Sequence, residues 1–146
     1  MHLYMIRHGQ SYVNLRDWKG GNTDEGLTEL GQAQADALGR WLPSEIKKID
    51  ALYASTMKRA QETAAPIAAA YNIPIISDDR LREIGNNRFD HTPWPSDDLP
   101  EYGTFWGSER PFNTITPDRP DGESMMHFRV RIGRFIEEMR AKHRQE

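Results

Sequence analysis

Residues 3 to 11 read Leu3-Tyr4-Met5-Ile6-Arg7-His8-Gly9-Gln10-Ser11. Four apolar residues predict a short strand, and it passes directly into a cation, an imidazole and a glycine. A strand ending this way places the ring at the carboxyl edge of a sheet, where an α/β fold opens its ligand crevice. Gly9 lets the backbone approach a ligand closely. The reading therefore turns on whether the rest of the chain supplies further strands, crossovers and partners for His8.

Apolar spacing predicts a helix over 27–42, its face running through Leu27, Leu30, Ala33, Ala37, Leu38 and Trp41, with Thr28 as cap and Pro43 as stop. Asp50 to Ala54 reads as a second buried strand. It leads into Ser55, a cap for a helix running to about Tyr71 that Pro66 should kink. A third strand is expected over Ile73 to Ile76. Strands alternating with helices imply parallel pairing through right-handed crossovers, hence an α/β domain.

From Gly85 to Gly122 the periodicity stops, and prolines 93, 95, 100, 111, 117 and 120 interleave with Trp94, Tyr102, Phe105, Trp106 and Phe112. A segment of this length without regular pattern reads as a lid-like insertion; the plainer alternative is that its aromatics only cover the scaffold. Beyond it, Met125, Phe128, Ile132, Phe135, Ile136 and Met139 recur at helical spacing up to Lys142, as core side chains.

The 146 residues suit one domain, 1–146. A net charge of -3, from 19 Lys and Arg against 22 Asp and Glu, gives no basic field for nucleic acid and no polybasic membrane anchor. A small-molecule partner is expected instead. No apolar run approaches the roughly 20 residues that cross a bilayer, and Arg7 and His8 interrupt the N-terminus early, so a cytoplasmic address is the expectation. The chain has no cysteine, which removes thiol catalysis and leaves imidazole chemistry to five histidines. No clustered His and carboxylate pattern marks a metal site. His2 and His143 lie at the termini, His127 reads as a helix-surface residue, and His91 lies in the insertion.

Three blocks together carry a resemblance. They are Arg7-His8-Gly9 with Ser11, Ser55 to Thr63 (Ser-Thr-Met-Lys-Arg-Ala-Gln-Glu-Thr), and Leu81-Arg82-Glu83-Ile84-Gly85. The sequence resembles the histidine phosphatase superfamily, the phosphoglycerate mutase-like proteins, from residue 1 to about 88, with a weaker echo at Gly122-Glu123-Ser124. The resemblance implies a three-layer sandwich whose mainly parallel central sheet is flanked by helices. It also implies a phosphohistidine at His8, with Glu83 as proton donor. Arg7, Asn14, Gly20, Gly21 and Arg59 fall where the family contacts phosphate or substrate, and neither metal nor cofactor is implied.

The chemistry gives each residue type a reason. Transfer of a phosphoryl group to an imidazole nitrogen splits hydrolysis into two easier steps. The ring must be neutral to attack, and flanking arginines disfavour an imidazolium whose ordinary pKa is about 6.5. The same guanidinium groups clamp phosphoryl oxygens in planar, bidentate geometry. Glu83 needs a raised pKa, from burial or nearby phosphate charge, to protonate the leaving oxygen. Alone, Arg59 would read as a solvated helix residue and Glu83 as a surface carboxylate.

Two departures stand out. Family members carry a second histidine near the carboxyl end, in a strand after the last helix, whereas this sequence stops at Glu146 and His143 is a poor substitute. A fragment of a longer protein, a natural truncation and a chain completed by a partner, such as a second copy, are the three readings; the fragment is the one expected. An apolar fraction of 37% and a mean hydropathy of -0.79 agree with a missing strand. Phe89-Asp90 stands where many members have Glu-Gly, and Gln10 replaces the commoner Glu, which argues against a glycolytic mutase. A metal-independent phosphomonoesterase is the leading expectation; a mutase and a non-catalytic phosphate-binding protein are the alternatives.

Overall fold

The structure, a computed structural model, describes residues 2–21, 23–100, 102–107, 115–116 and 119–144. Pro111, Phe112 and Pro117 of the expected insertion lie outside these. The chain divides into two compact units, His2–Gly20 with Asp24–Asp78, and Gly21–Thr23 with Asp79–Glu146.

In the first unit, helix α1 spans Glu29–Glu45. Thr28 caps it as predicted, its Oγ1 accepting the Gly31 N–H at 3.1 Å. Pro43 does not stop it. In a last turn proline removes a single ladder bond, and the helix still closes through Ile46 N–H to the Leu42 carbonyl at 2.9 Å. The buried face is also not the one expected: Gly31, Ala35, Gly39 and Leu42 are buried, whereas Leu30 and Trp41 are each 54% exposed. Close approach to the next helix decides this. A Cβ on Gly39 would lie 2.7 Å from Pro66 Cβ, so small residues occupy the contact and larger apolar ones are turned outward.

Strands β1 (Leu52–Ala54) and β2 (Ile75–Ser77) pair in parallel, with Leu52 opposite Ile75 and Ala54 opposite Ser77. Helix α2, Lys58–Tyr71, is the crossover and packs on both strands and on α1. Ser55 is not its cap. Met57 takes that position without a side-chain bond, Ser55 Oγ accepts the Met57 N–H at 3.2 Å, and Asp24 Oδ2 takes the Lys58 N–H at 2.7 Å. A carboxylate at a helix N-terminus is favoured by charge as well as by hydrogen bonding. Pro66 lies inside α2 without ending it, and Asn72 closes it in the left-handed conformation, φ 52.

The α/β class with parallel strands is borne out, but the predicted first strand is not: Leu3 to Ile6 joins no sheet, and Met5 is 89% exposed. A strand exists through its hydrogen-bonded ladder, and among the described residues β1 pairs with β2 alone.

In the second unit, a 3-10 turn at Asp79–Leu81 precedes the one-turn helix α3, Gly103–Trp106, and helix α4, Met125–Lys142. The last helix ends where its periodicity predicts. Phe135 and Met139 are buried in it as expected, while Ile136 is exposed and Arg131 is buried instead. Within the insertion, Trp94 and Phe105 are buried and Thr116 forms an antiparallel bridge with Glu123. No helix among the described residues is long and apolar enough to cross a membrane.

Candidate active site

His8 follows the unpaired N-terminal segment and is half-buried. Its Nδ1 lies 2.7 Å from the carbonyl oxygen of Gly9. A carbonyl can only accept, so Nδ1 carries the hydrogen and the lone pair of the neutral ring resides on Nε2. Arg7, His8, Gly9, Gln34, Leu38 and Thr63 line a cleft of about 200 Å³, which brings a cation and an imidazole to one opening.

Backbone contacts seat this loop on both helices. The Gln10 N–H donates to Gln34 Oε1 at 2.8 Å, and the Thr28 N–H donates to the Gln10 carbonyl at 3.0 Å. Glycine is required on each side of the junction: a Cβ on Gly9 would fall 2.5 Å from the Gly31 carbonyl oxygen, and one on Gly31 would fall 1.9 Å from that of Gln10. On α2, Thr63 Oγ1 accepts the Gly9 N–H at 3.1 Å and donates to the Arg59 carbonyl at 2.7 Å. One buried hydroxyl thereby ties the histidine loop to the turn that carries Arg59. Arg59 is 3% exposed, which a solvated helix residue would not be; its side chain is not part of the cleft lining.

The other candidates fall differently. Asn14 is exposed at the end of a 3-10 turn, and its Oδ1 accepts from Ser11 N and Oγ at 3.0 and 2.9 Å; that side-chain oxygen shapes the loop and is not in the lining of the cleft. Gly20 is exposed beside the Trp18 ring. Gly21, with φ 67, and Glu83 belong to the second unit. Glu83 is exposed, so burial, one of the two conditions expected to suit it to proton donation, is absent.

The residues that sequence reading passed over are chiefly polar and buried. Thr63 appears in the second block without a role. Glu62 Oε2 accepts the Leu27 N–H at 2.6 Å. In the second unit, Glu123 and Arg131 form an ion pair at 2.5 Å with both side chains inaccessible; the only signal for it was the echo at Gly122-Glu123-Ser124. His127 is half-buried and closes the cap of α4, its N–H reaching Ser124 Oγ at 3.3 Å. His91 has φ 66, and burial pushes its imidazole below the ordinary range.

The family model for the histidine phosphatase superfamily (branch 1) matches residues 3–146. Phosphoserine phosphatase 1 of Hydrogenobacter thermophilus is 32% identical over 148 residues, covering 97% of this chain and 65% of that protein. The 2,3-bisphosphoglycerate-dependent phosphoglycerate mutase of Bartonella tribocorum is 36% identical over 138 residues, covering 89% and 64%. Among solved structures, Bacillus stearothermophilus YhfR superposes with a TM-score of 0.65 at 29% identity, covering 96% of this chain and 67% of that one. A mycobacterial glucosyl-3-phosphoglycerate phosphatase in complex with inorganic phosphate gives a TM-score of 0.61 at 25% identity, covering 94% and 61%. The chain thus spans about two thirds of the length of these relatives.

Proposed function

This chain belongs to the histidine phosphatase superfamily, and we propose from that premise that it hydrolyses a small phosphomonoester through a phosphohistidine on His8. The observation that carries the reading is the hydrogen bond from His8 Nδ1 to the Gly9 carbonyl, which puts the lone pair on Nε2 of a ring that lines the same cleft as Arg7. In the first step Nε2 bonds to phosphorus while the ester P–O bond breaks, and the leaving oxygen takes a proton from Glu83. In the second, water replaces Nε2 on phosphorus, the Glu83 carboxylate accepts its proton, and inorganic phosphate leaves. The role of Glu83 is proposed from the family resemblance of its block. Arg7, which lines the cleft, and Arg59, from the family resemblance of its block, are assigned to the phosphoryl oxygens, where fixed positive charge stabilises the transition state.

The test is hydrolysis of an aryl phosphate by this chain in chelator, beside His8→Ala. Turnover that persists in chelator and disappears in the variant supports the proposal; equal turnover in the variant refutes it. A mutase reading has one observation behind it, the phosphoglycerate mutases among the relatives. It requires the phosphoryl group to return to a second hydroxyl faster than water takes it, so release of inorganic phosphate at the rate of ester consumption distinguishes hydrolysis.

A further inference from the structure

Glu83 stands on a backbone that buried side chains grip from both sides. Arg131 Nη1 donates to the Arg80 carbonyl at 2.6 Å, and Nη2 to the Glu83 carbonyl at 3.2 Å. The same guanidinium is held by Glu123, Nε to Oε1 at 2.5 Å and Nη2 to Oε2 at 2.9 Å. Glu123 Oε2 also accepts the Gly85 N–H at 2.9 Å, and the Tyr102 hydroxyl donates to the Ile84 carbonyl. Gly85 has φ +77, and a Cβ there would lie 2.1 Å from the Tyr102 ring, so this turn requires glycine at 85. From Arg82 to Asn87 every residue except Glu83 is buried. The outcome is a single exposed carboxylate on an immobilised turn.

A fully buried ion pair is a poor device for stability alone, because apolar side chains of similar volume commonly do as well. What this pair does that apolar residues could not is bind backbone groups at residues 80, 83 and 85 simultaneously. We infer that the Glu123–Arg131 pair is a positioning device for Glu83, fixing the direction in which its carboxyl group is presented. The inference rests on the reading of Glu83 as the proton donor. Neither residue takes part in bond making; Arg131 acts through the Glu83 carbonyl, and Glu123 through Arg131 and the Gly85 N–H.

A residue that only holds the fold together slows all substrates alike, whereas one that aims the acid slows those whose leaving group needs the proton. The experiment measures kcat/KM, which reports formation of the phosphohistidine and not its hydrolysis, for Glu123→Gln on an aryl phosphate, whose phenolate leaves unassisted, and on an alkyl phosphate, whose alkoxide does not. Since displacement of a reacting group by about 1 Å costs up to about 100-fold, kcat/KM for the alkyl ester is expected to fall about 10- to 100-fold. For the aryl ester kcat/KM should change by less than about threefold. In a Glu83→Gln background the same change should add nothing on the alkyl ester, as coupled residues are non-additive.

Equal losses on both esters, or full additivity with Glu83→Gln, overturn the inference. Should Glu123→Gln unfold, Arg131→Lys provides the second variant, with circular dichroism confirming α4. The premise is separable: Glu83→Gln leaves the ion pair intact, so an equal loss of kcat/KM on both esters in that variant overturns the role of Glu83 as proton donor, and the positioning role with it.

Discussion

Gly31→Ala probes the junction on which the proposed nucleophile rests. The added methyl would sit 1.9 Å from the Gln10 carbonyl oxygen, and ordinary contact begins near 3.4 Å, so the loop and the first turn of α1 must separate by about 1.5 Å, the difference of the two. Neighbouring atoms are backbone and cannot rotate away. In an isolated helix the change would be favourable by about 1 kcal/mol, while overpacking a close contact costs about 1 to 3 kcal/mol. Net stability should therefore fall by at most about 2 kcal/mol, and helix content should be kept. Activity is the more sensitive readout, because a displacement of that size moves the His8 ring relative to Arg7 and Thr63 and is expected to lower kcat/KM by about 100-fold. The assay is aryl phosphate hydrolysis beside urea denaturation. A variant of unchanged stability and unchanged kcat/KM would show that the loop does not depend on this seat, and would refute the reasoning.

His8→Ala should reduce turnover to background with the urea midpoint unchanged; residual turnover near that of the parent removes His8 as nucleophile. Arg59→Lys keeps the charge but not the fork, and kcat/KM is expected to fall about 100-fold, the scale for one lost transition-state donor; kinetics like the parent's would place Arg59 outside the chemistry. Thr63→Val, nearly isosteric, removes the hydroxyl that the Gly9 N–H donates to and that bonds the Arg59 carbonyl and should cost about 1 to 3 kcal/mol together with activity, whereas a neutral effect in both assays would discount the tie. Burial holds His91 below the ordinary imidazole range, with His127, Arg131 and Arg134 acting in the same direction and Glu123 opposing. The unfolded chain then binds the extra proton, so stability should fall as pH drops through about 6.5; His91→Gln should flatten that decline, and a profile that tracks the parent's would contradict the assignment.

Legibility in the sequence followed the range of the interaction involved. The cap at Thr28, the extent of α4 and the parallel pairing of β1 with β2 rest on local chemistry and connectivity, and they were readable from spacing and residue type. The family could be read from three short blocks because Arg7, His8, Arg59 and Glu83 are named by identity, whatever surrounds them. Failures arose where a distant surface had the deciding vote. Leu3 to Ile6 has the composition of a strand, but composition supplies no ladder partner. The apolar stripe of α1 predicted the wrong face, since hydropathy does not register that two backbones meet at Gly39 and Pro66.

The sequence by itself therefore determined helices α1, α2 and α4, strands β1 and β2, their order and the residue types available for phosphoryl chemistry, because periodicity and side-chain reactivity act within a few residues of chain. Tertiary structure alone decided that Arg59 is buried, that Thr63 joins the histidine loop to α2, and that Glu123 and Arg131 enclose the turn beneath Glu83. A polar side chain is indistinguishable from a solvated one until packing removes its water, and only then must its hydrogen bonds be made by groups far away in the sequence.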